Sequence, residues 1–352
     1  MLFETFETEI TPIMASVMFG LLLGAVFGAA AQISRFCLRR GVVGTGSDRV
    51  SALSVWLMAL LFAVVGTQAA VGLGLVDFSE HRFSAAELPL AAILLGGVLF
   101  GAGMVLTRGC VSRLTVLGGT GNLRALSVLV VFAIVAHATL KGVLAPLRVY
   151  LGAGTVDMGE ASLLSGLPGG ALVWTGLVAA VIATLVLRSS ARPRDLALAA
   201  LIGALVPIGW VGTGFLLLDE FDPIPLESLS FTAPWSEALF WGIASTSIPA
   251  GFGTGLVGGV IAGSLAAAAL RGEAKLVSFS SPQETLRYLA GGALMGFGGV
   301  LAGGCTVGAG LSGVGTLSVA AILALAAIMA GGRITDRLVD RQGSGLMGVP
   351  AE

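Results

Sequence analysis

Only three cysteines occur in the 352 residues, and each stands where a long apolar stretch breaks into a Gly-rich or Arg-rich turn. They are Cys37 in Arg-Phe-Cys-Leu, Cys110 in Arg-Gly-Cys-Val-Ser and Cys305 in Gly-Gly-Cys-Thr-Val-Gly. Cysteines that merely filled apolar helices would scatter along them, as the alanines and leucines here do. A neutral thiol is a weak donor and a soft acceptor, and a thiolate is a nucleophile. Thiols gathered at helix breaks therefore point to a soft, polarisable solute. A hard anion such as sulfate or phosphate would call for hydroxyls and arginine instead. Copper(I) sites add Met or His close to their cysteines, and none flanks these three, whereas Arg35 and Arg108 stand two residues away. The balance favours a sulfur-bearing anion. An odd cysteine count without a C-x-x-C pair argues against a disulfide framework or a zinc site, and no metal or cofactor is expected.

The elements that must hold these thiols are membrane helices. The chain is 56% hydrophobic and 11% charged, against about 25% charged in soluble domains, so composition selects a polytopic membrane protein and excludes a soluble enzyme. Its 53 glycines imply helices packed through small faces. Apolar stretches near the roughly 20 residues of a bilayer crossing predict nine spans. They run at about 10–32, 50–76, 88–107, 123–146, 168–188, 196–218, 236–271, 287–303 and 316–332. The seventh is too long for one straight helix, and Pro249 predicts a break within it, followed by a Gly-xxx-Gly ladder over 251–263 that reads as a packing face. The acidic start, with Glu4, Glu7 and Glu9, is unlike the basic start of a cleavable signal and predicts a retained first span. Placing the N-terminus outside and the C-terminus inside puts 16 of the 19 basic residues on the cytoplasmic side, leaving Arg82, Lys141 and Arg148 outside. That is the positive-inside distribution of an inner-membrane protein.

An internal repeat ties two of the thiols together. Gly-Gly-Val-Leu-Phe-Gly-Ala-Gly at 96–103 matches Gly-Gly-Ala-Leu-Met-Gly-Phe-Gly at 291–298, and the same offset of 195 carries Gly109-Cys110 onto Gly304-Cys305. The first copy starts outside and the second inside, so the repeats, about 10–150 and 196–335, run antiparallel within one transport domain over 1–352. Inverted repeats with interrupted spans are a mark of secondary transporters. Segments 108–121 and 303–315 are predicted as loops, hairpins or short re-entrant helices dipping toward a central site, since irregular backbone at membrane depth must be buried in protein or line a cavity. His137 lies within a span and is read chiefly as a hydrogen-bonded packing residue; His81 is read as a solvated outer-loop residue. No Asp or Glu falls in a span core to act as a proton relay.

Arg-Phe-Cys-Leu at 35–38, Arg-Gly-Cys-Val-Ser at 108–112 and Gly-Gly-Cys-Thr-Val-Gly-Ala-Gly-Leu-Ser-Gly at 303–313 resemble the YeeE/YedE family of membrane proteins, over essentially the whole chain. The resemblance implies an all-α, pseudo-two-fold, hourglass-like permease that imports thiosulfate along a narrow path of cysteines. Transfer would proceed by weak S–H···S contacts, without large conformational swings. It also implies a small TusA-like sulfur-carrier protein as a cytoplasmic partner. The candidate substrate-binding set is then Cys37, Cys110 and Cys305 with the flanking Arg108, Gly109, Gly304 and Thr306. Val307 and Ala309 stand where the family pattern often has Ser and His, and Val111 and Arg113 also depart from it. These changes alter the polarity of the path and leave open which sulfur anion it carries. A selenium-compound or other sulfur-solute transporter is one alternative, and a sulfurtransferase forming a cysteine persulfide is another. The short tail 333–352 is expected to hold no fused carrier domain.

Overall fold

The computed structural model describes residues 11–219 and 221–343; the acidic positions 4, 7 and 9 and the tail after 343 lie outside them. The fold is all-α apart from a two-residue ladder, in which β1 (Glu87–Leu88) pairs antiparallel with β2 (Val156–Asp157). In chain order the helices are α1 (Pro12–Ser34), α2 (Leu38–Val43), α3 (Gly46–Gly72), α4 (Leu90–Leu106), α5 (Val111–Gly119), α6 (Leu123–Lys141), α7 (Ala145–Gly152) and α8 (Gly170–Leu187). There follow α9 (Pro193–Val211), α10 (Thr232–Ala244), α11 (Phe252–Leu270), α12 (Pro282–Leu301) and α13 (Val319–Gly343). Wide-helix turns of the π type extend α9 over Gly212–Leu216 and fill Gly308–Gly313 before α13.

Among the described residues eight segments are long and apolar enough to cross a membrane, where the sequence predicts nine. The expected span 287–303 is the exception. It lies in α12, a 20-residue helix whose first turns carry Glu284 and Arg287, and that polar entry keeps it out of the set. The expected span 236–271 divides into α10 and α11 around Pro249, as the proline demands. Of the segment 108–121, for which loops, hairpins or short helices are expected, nine residues form the helix α5 and are almost wholly buried.

Glycine sets the closest helix contact. Gly20, Gly24 and Gly28 of α1 face backbone carbonyls of Phe252, Leu256 and Val260 on α11, and Gly255, Gly259 and Gly263 face those of Val17, Leu21 and Ala25. A Cβ at any of these positions would overlap the opposing backbone, so the two ladders mesh as a single seam. Elsewhere α4 lies between α12 and α13, α12 lies between α4 and α6, and α9 rests on α3 and α1. Between these helices the chain from Gly304 to Ser318 runs buried without interruption.

Candidate functional site

Each thiol sits on the same local backbone device. A long helix ends in a residue with left-handed φ: Arg35 at 52°, Arg108 at 56° and Gly303 at 74°. One further residue follows, then the cysteine, then a short helical segment. Left-handed termination is common for Gly at a helix end and costs an L-residue steric strain, so Arg35 and Arg108 hold unusual conformations to turn the chain. Cys37 is the N-cap residue of α2 and Cys110 that of α5. Cys305 opens the turn into the π segment, where its carbonyl accepts from Ala309 N–H at 2.9 Å and its Sγ accepts from Gly308 N–H at 3.3 Å. All three thiols are free and buried.

They fall into two neighbourhoods. In the first, Cys110 Sγ lies 3.2 Å from Ser112 Oγ, with the Thr306 hydroxyl also within reach and Cys37 as its electrostatic neighbour. Arg113, on the first turn of α5, has Cys37, Cys110, Arg40 and Arg35 in its field. Its nearest polar contact is Gln32 Oε1 at 3.5 Å, and Gln32 in turn donates to Glu273 Oε2 at 3.1 Å. Arg40 is paired with Asp48. Arg108 stands elsewhere: its side chain is exposed, with Arg287 nearby rather than the thiols. Its neighbour Gly109 is buried, its carbonyl accepting from Thr107 Oγ1 at 2.8 Å.

The second neighbourhood surrounds Cys305. Gly308, Val307 and Phe231 turn backbone N–H groups toward its sulfur, and the Thr232 hydroxyl is beside it. Gly303, Gly304, Gly308 and Thr232 line a cavity of about 300 Å³ together with His81, Arg82, Trp210 and Glu227. Arg82 spans it, donating to Gly303 O at 2.6 Å with its guanidinium 4.7 Å from the Phe83 ring centre. Its electrostatic partners are Cys305 and Glu227. Trp210 Nε1 and Thr232 Oγ1 are buried without a hydrogen-bond partner among the described residues. Trp210, Thr232 and an arginine thus line a cavity beside the turn that carries Cys305, a polar set suited to an oxyanion.

The structure thereby brings Cys110, Cys37 and Thr306 into one cluster and places Gly304, the residue before the buried Cys305, on the wall of an adjoining cavity, with Thr306 bridging the two as the residue after Cys305. It leaves Arg108 aside. His81 is not the solvated loop residue the sequence suggests: it packs on Trp210, Phe78 and Phe83 with ring centres 5.2, 5.8 and 4.9 Å away. His137 bonds Ser236 Oγ at 2.9 Å and stacks on Phe240. Sequence reasoning missed Arg113 and Arg82 as site residues because both read as topology determinants. A signal existed for Arg82, one of only three basic residues assigned to the outer side. Glu227 was missed because its segment, between α9 and α10, reads as a plain Pro-containing linker.

A family model described as sulphur transport matches residues 33–334. The thiosulfate transporter TsuA of Spirochaeta thermophila is 29% identical over 319 residues, which cover 87% of this chain and 93% of that protein. The thiosulfate transporter TsuA of Escherichia coli is 27% identical over 327 residues, 84% of this chain and 86% of that one.

Proposed function

The chain belongs to the sulphur-transport family, and on that premise we propose that it is an inner-membrane permease importing thiosulfate or a closely related sulfur-containing anion. The observation that carries this reading is the threefold recurrence of a left-handed helix end, one residue and a buried cysteine, the third of these turns lying beside a polar-lined cavity. In this account the anion enters the cavity with its oxygens on Arg82, Trp210 Nε1 and Thr232, and its terminal sulfur meets Cys305. It then passes Thr306 to Cys110 and Cys37 through S–H···S contacts. Arg113 balances its charge at the inner end. Gly304 and Gly109 lend backbone room for these close approaches.

In this reading the Cys305 cavity lies on the periplasmic side and the Cys37–Cys110 cluster on the cytoplasmic side, with the N-terminus outside. The reading extends to an inverted repeat over about 10–150 and 196–335. Its support is the matched helix ends at Arg108 and Gly303, separated by the sequence offset of 195. The exchange of partners among α4, α6, α12 and α13 supports it too. A small TusA-like sulfur-carrier protein on the cytoplasmic side would be the recipient. Moving an anion into a negative interior costs about 2.3 kcal/mol per charge per 100 mV, which consumption of the sulfur inside would offset.

Uptake of labelled thiosulfate, sulfite and selenite into liposomes holding the purified chain tests the proposal. Saturable thiosulfate uptake that exceeds the other two supports it; no uptake above empty liposomes contradicts it.

A further inference from the structure

The cavity that serves the anion also holds a carboxylate. Glu227 lies on its wall in the segment between α9 and α10, which belongs to none of the eight spanning segments. Its backbone is fixed, its N–H donating to Thr213 Oγ1 at 3.0 Å and its carbonyl accepting from the same hydroxyl at 2.7 Å. Ser228, the next residue, donates to Val206 O at 2.7 Å and anchors the segment on α9. Glu227 is therefore held on the cavity wall by a rigid backbone, and among the described residues its carboxylate forms no ion pair. Arg82 is near, with one of its guanidinium N–H groups donating to Gly303 O and the others left for an anion. The other charged or titratable groups facing this wall are Glu237 on α10, whose own neighbour is Lys141 of α6, then His81 on the outer loop and Cys305.

We propose that Glu227 is a proton gate for anion loading: the cavity accepts the anion when this carboxyl is neutral and refuses it when the carboxyl is charged. The inference rests on the permease reading above and adds a regulatory residue to it. An ionised Glu227 would place a like charge inside the small space that a divalent anion must enter, cancelling the attraction of Arg82. Because linkage is reciprocal, a bound anion also draws a proton onto Glu227. Burial and the facing Glu237 push the Glu227 carboxyl up to about 8, against the pull of Arg82. His81 is not a rival over this range, since burial and Arg82 push its imidazole down to about 4 and leave it neutral. With a raised carboxyl the gate is open below that value and closes as external pH rises through it.

The test is thiosulfate uptake into liposomes with internal pH and membrane potential held fixed while external pH varies. Wild-type uptake falls about tenfold between pH 7 and 9, as for one group titrating near 8. Glu227→Gln removes the fall, so that at pH 9 it exceeds wild type, whereas Glu237→Gln keeps a fall and moves its midpoint to lower pH. A second measurement needs no variant: at pH 9 in weak buffer, thiosulfate binding to the wild-type protein takes up close to one proton per anion. Uptake equal at pH 7 and 9, a Glu227→Gln protein that follows the wild-type curve, or binding without proton uptake overturns the gate while leaving the permease reading intact. Absence of uptake at every pH overturns both.

Discussion

The two thiol neighbourhoods differ in what surrounds the sulfur. Around Cys305 there is space, about 300 Å³ of it, lined by Trp210, Thr232, one arginine and one carboxylate. Around Cys37 and Cys110 the field of Arg113 holds Arg35 and Arg40, with Glu273 reached only through Gln32, and the Cys110 thiol is tied to the Ser112 hydroxyl. The first arrangement can sort and admit an anion, since shape, donors and a titratable group all act on it there. The second can only attract and pass it on. Under the proposed function, selection and release would be divided between the two ends of a path through Cys305, Thr306 and Cys110.

That division breaks if substitutions at the two ends give the same kinetic signature. Arg82→Gln is expected to raise KM for thiosulfate about tenfold with little change in maximal rate, a loss of roughly 1.4 kcal/mol in loading. Arg113→Gln is expected to lower the maximal rate by a similar factor while KM holds, and Arg113→Lys recovers part of it because the charge returns without the planar fork. Initial rates of uptake over a range of thiosulfate concentrations read both. If the two variants exchange signatures, the assignment of ends is reversed. An intermediate effect belongs to the Cys305 cavity, where Thr232→Val removes the hydroxyl beside the thiol and is expected to weaken thiosulfate binding by about three- to tenfold, the worth of one hydrogen bond. Isothermal titration of the detergent-purified protein measures it. The smallest effect sharpens the inner boundary: Arg108→Gln, whose side chain faces Arg287 and solvent, is expected to change uptake by less than about twofold, as for exposed charges. A tenfold loss there would move Arg108 into the path.

How far the sequence exposes this arrangement varies by region. The thiols, the glycine ladder at 251–263 and the break at Pro249 are visible because each depends on residue type and local spacing. The ladder's partner is visible only in the fold: Gly20, Gly24 and Gly28 share its spacing, but nothing in the chain says that α1 and α11 meet. The segment 108–121 reads as broken because glycine is plentiful in it, yet Val111 to Gly119 are helical, since burial among α6, α11 and α1 overrides weak propensity. Arg113 and Arg108 look alike in sequence, five residues apart on either side of Cys110 and both basic. Only the turn at Arg108, with φ at 56°, sends one out to solvent and leaves the other among the thiols. The outer chamber was the least legible part, because Arg82, Trp210, Glu227 and Thr232 come from four separate segments of the chain.

The central claim is that sulfur chemistry at the paired thiols carries the substrate. Uptake of labelled thiosulfate by the Cys110→Ala, Cys305→Ala double variant, reconstituted in liposomes and shown to be folded by its thermal transition, tests it most directly. The account predicts a loss of about a hundredfold or more, roughly 2.7 kcal/mol of lost stabilisation along the path, with no added sulfur atom on any thiol of the wild-type protein after turnover. Uptake by the double variant at the wild-type rate would contradict it.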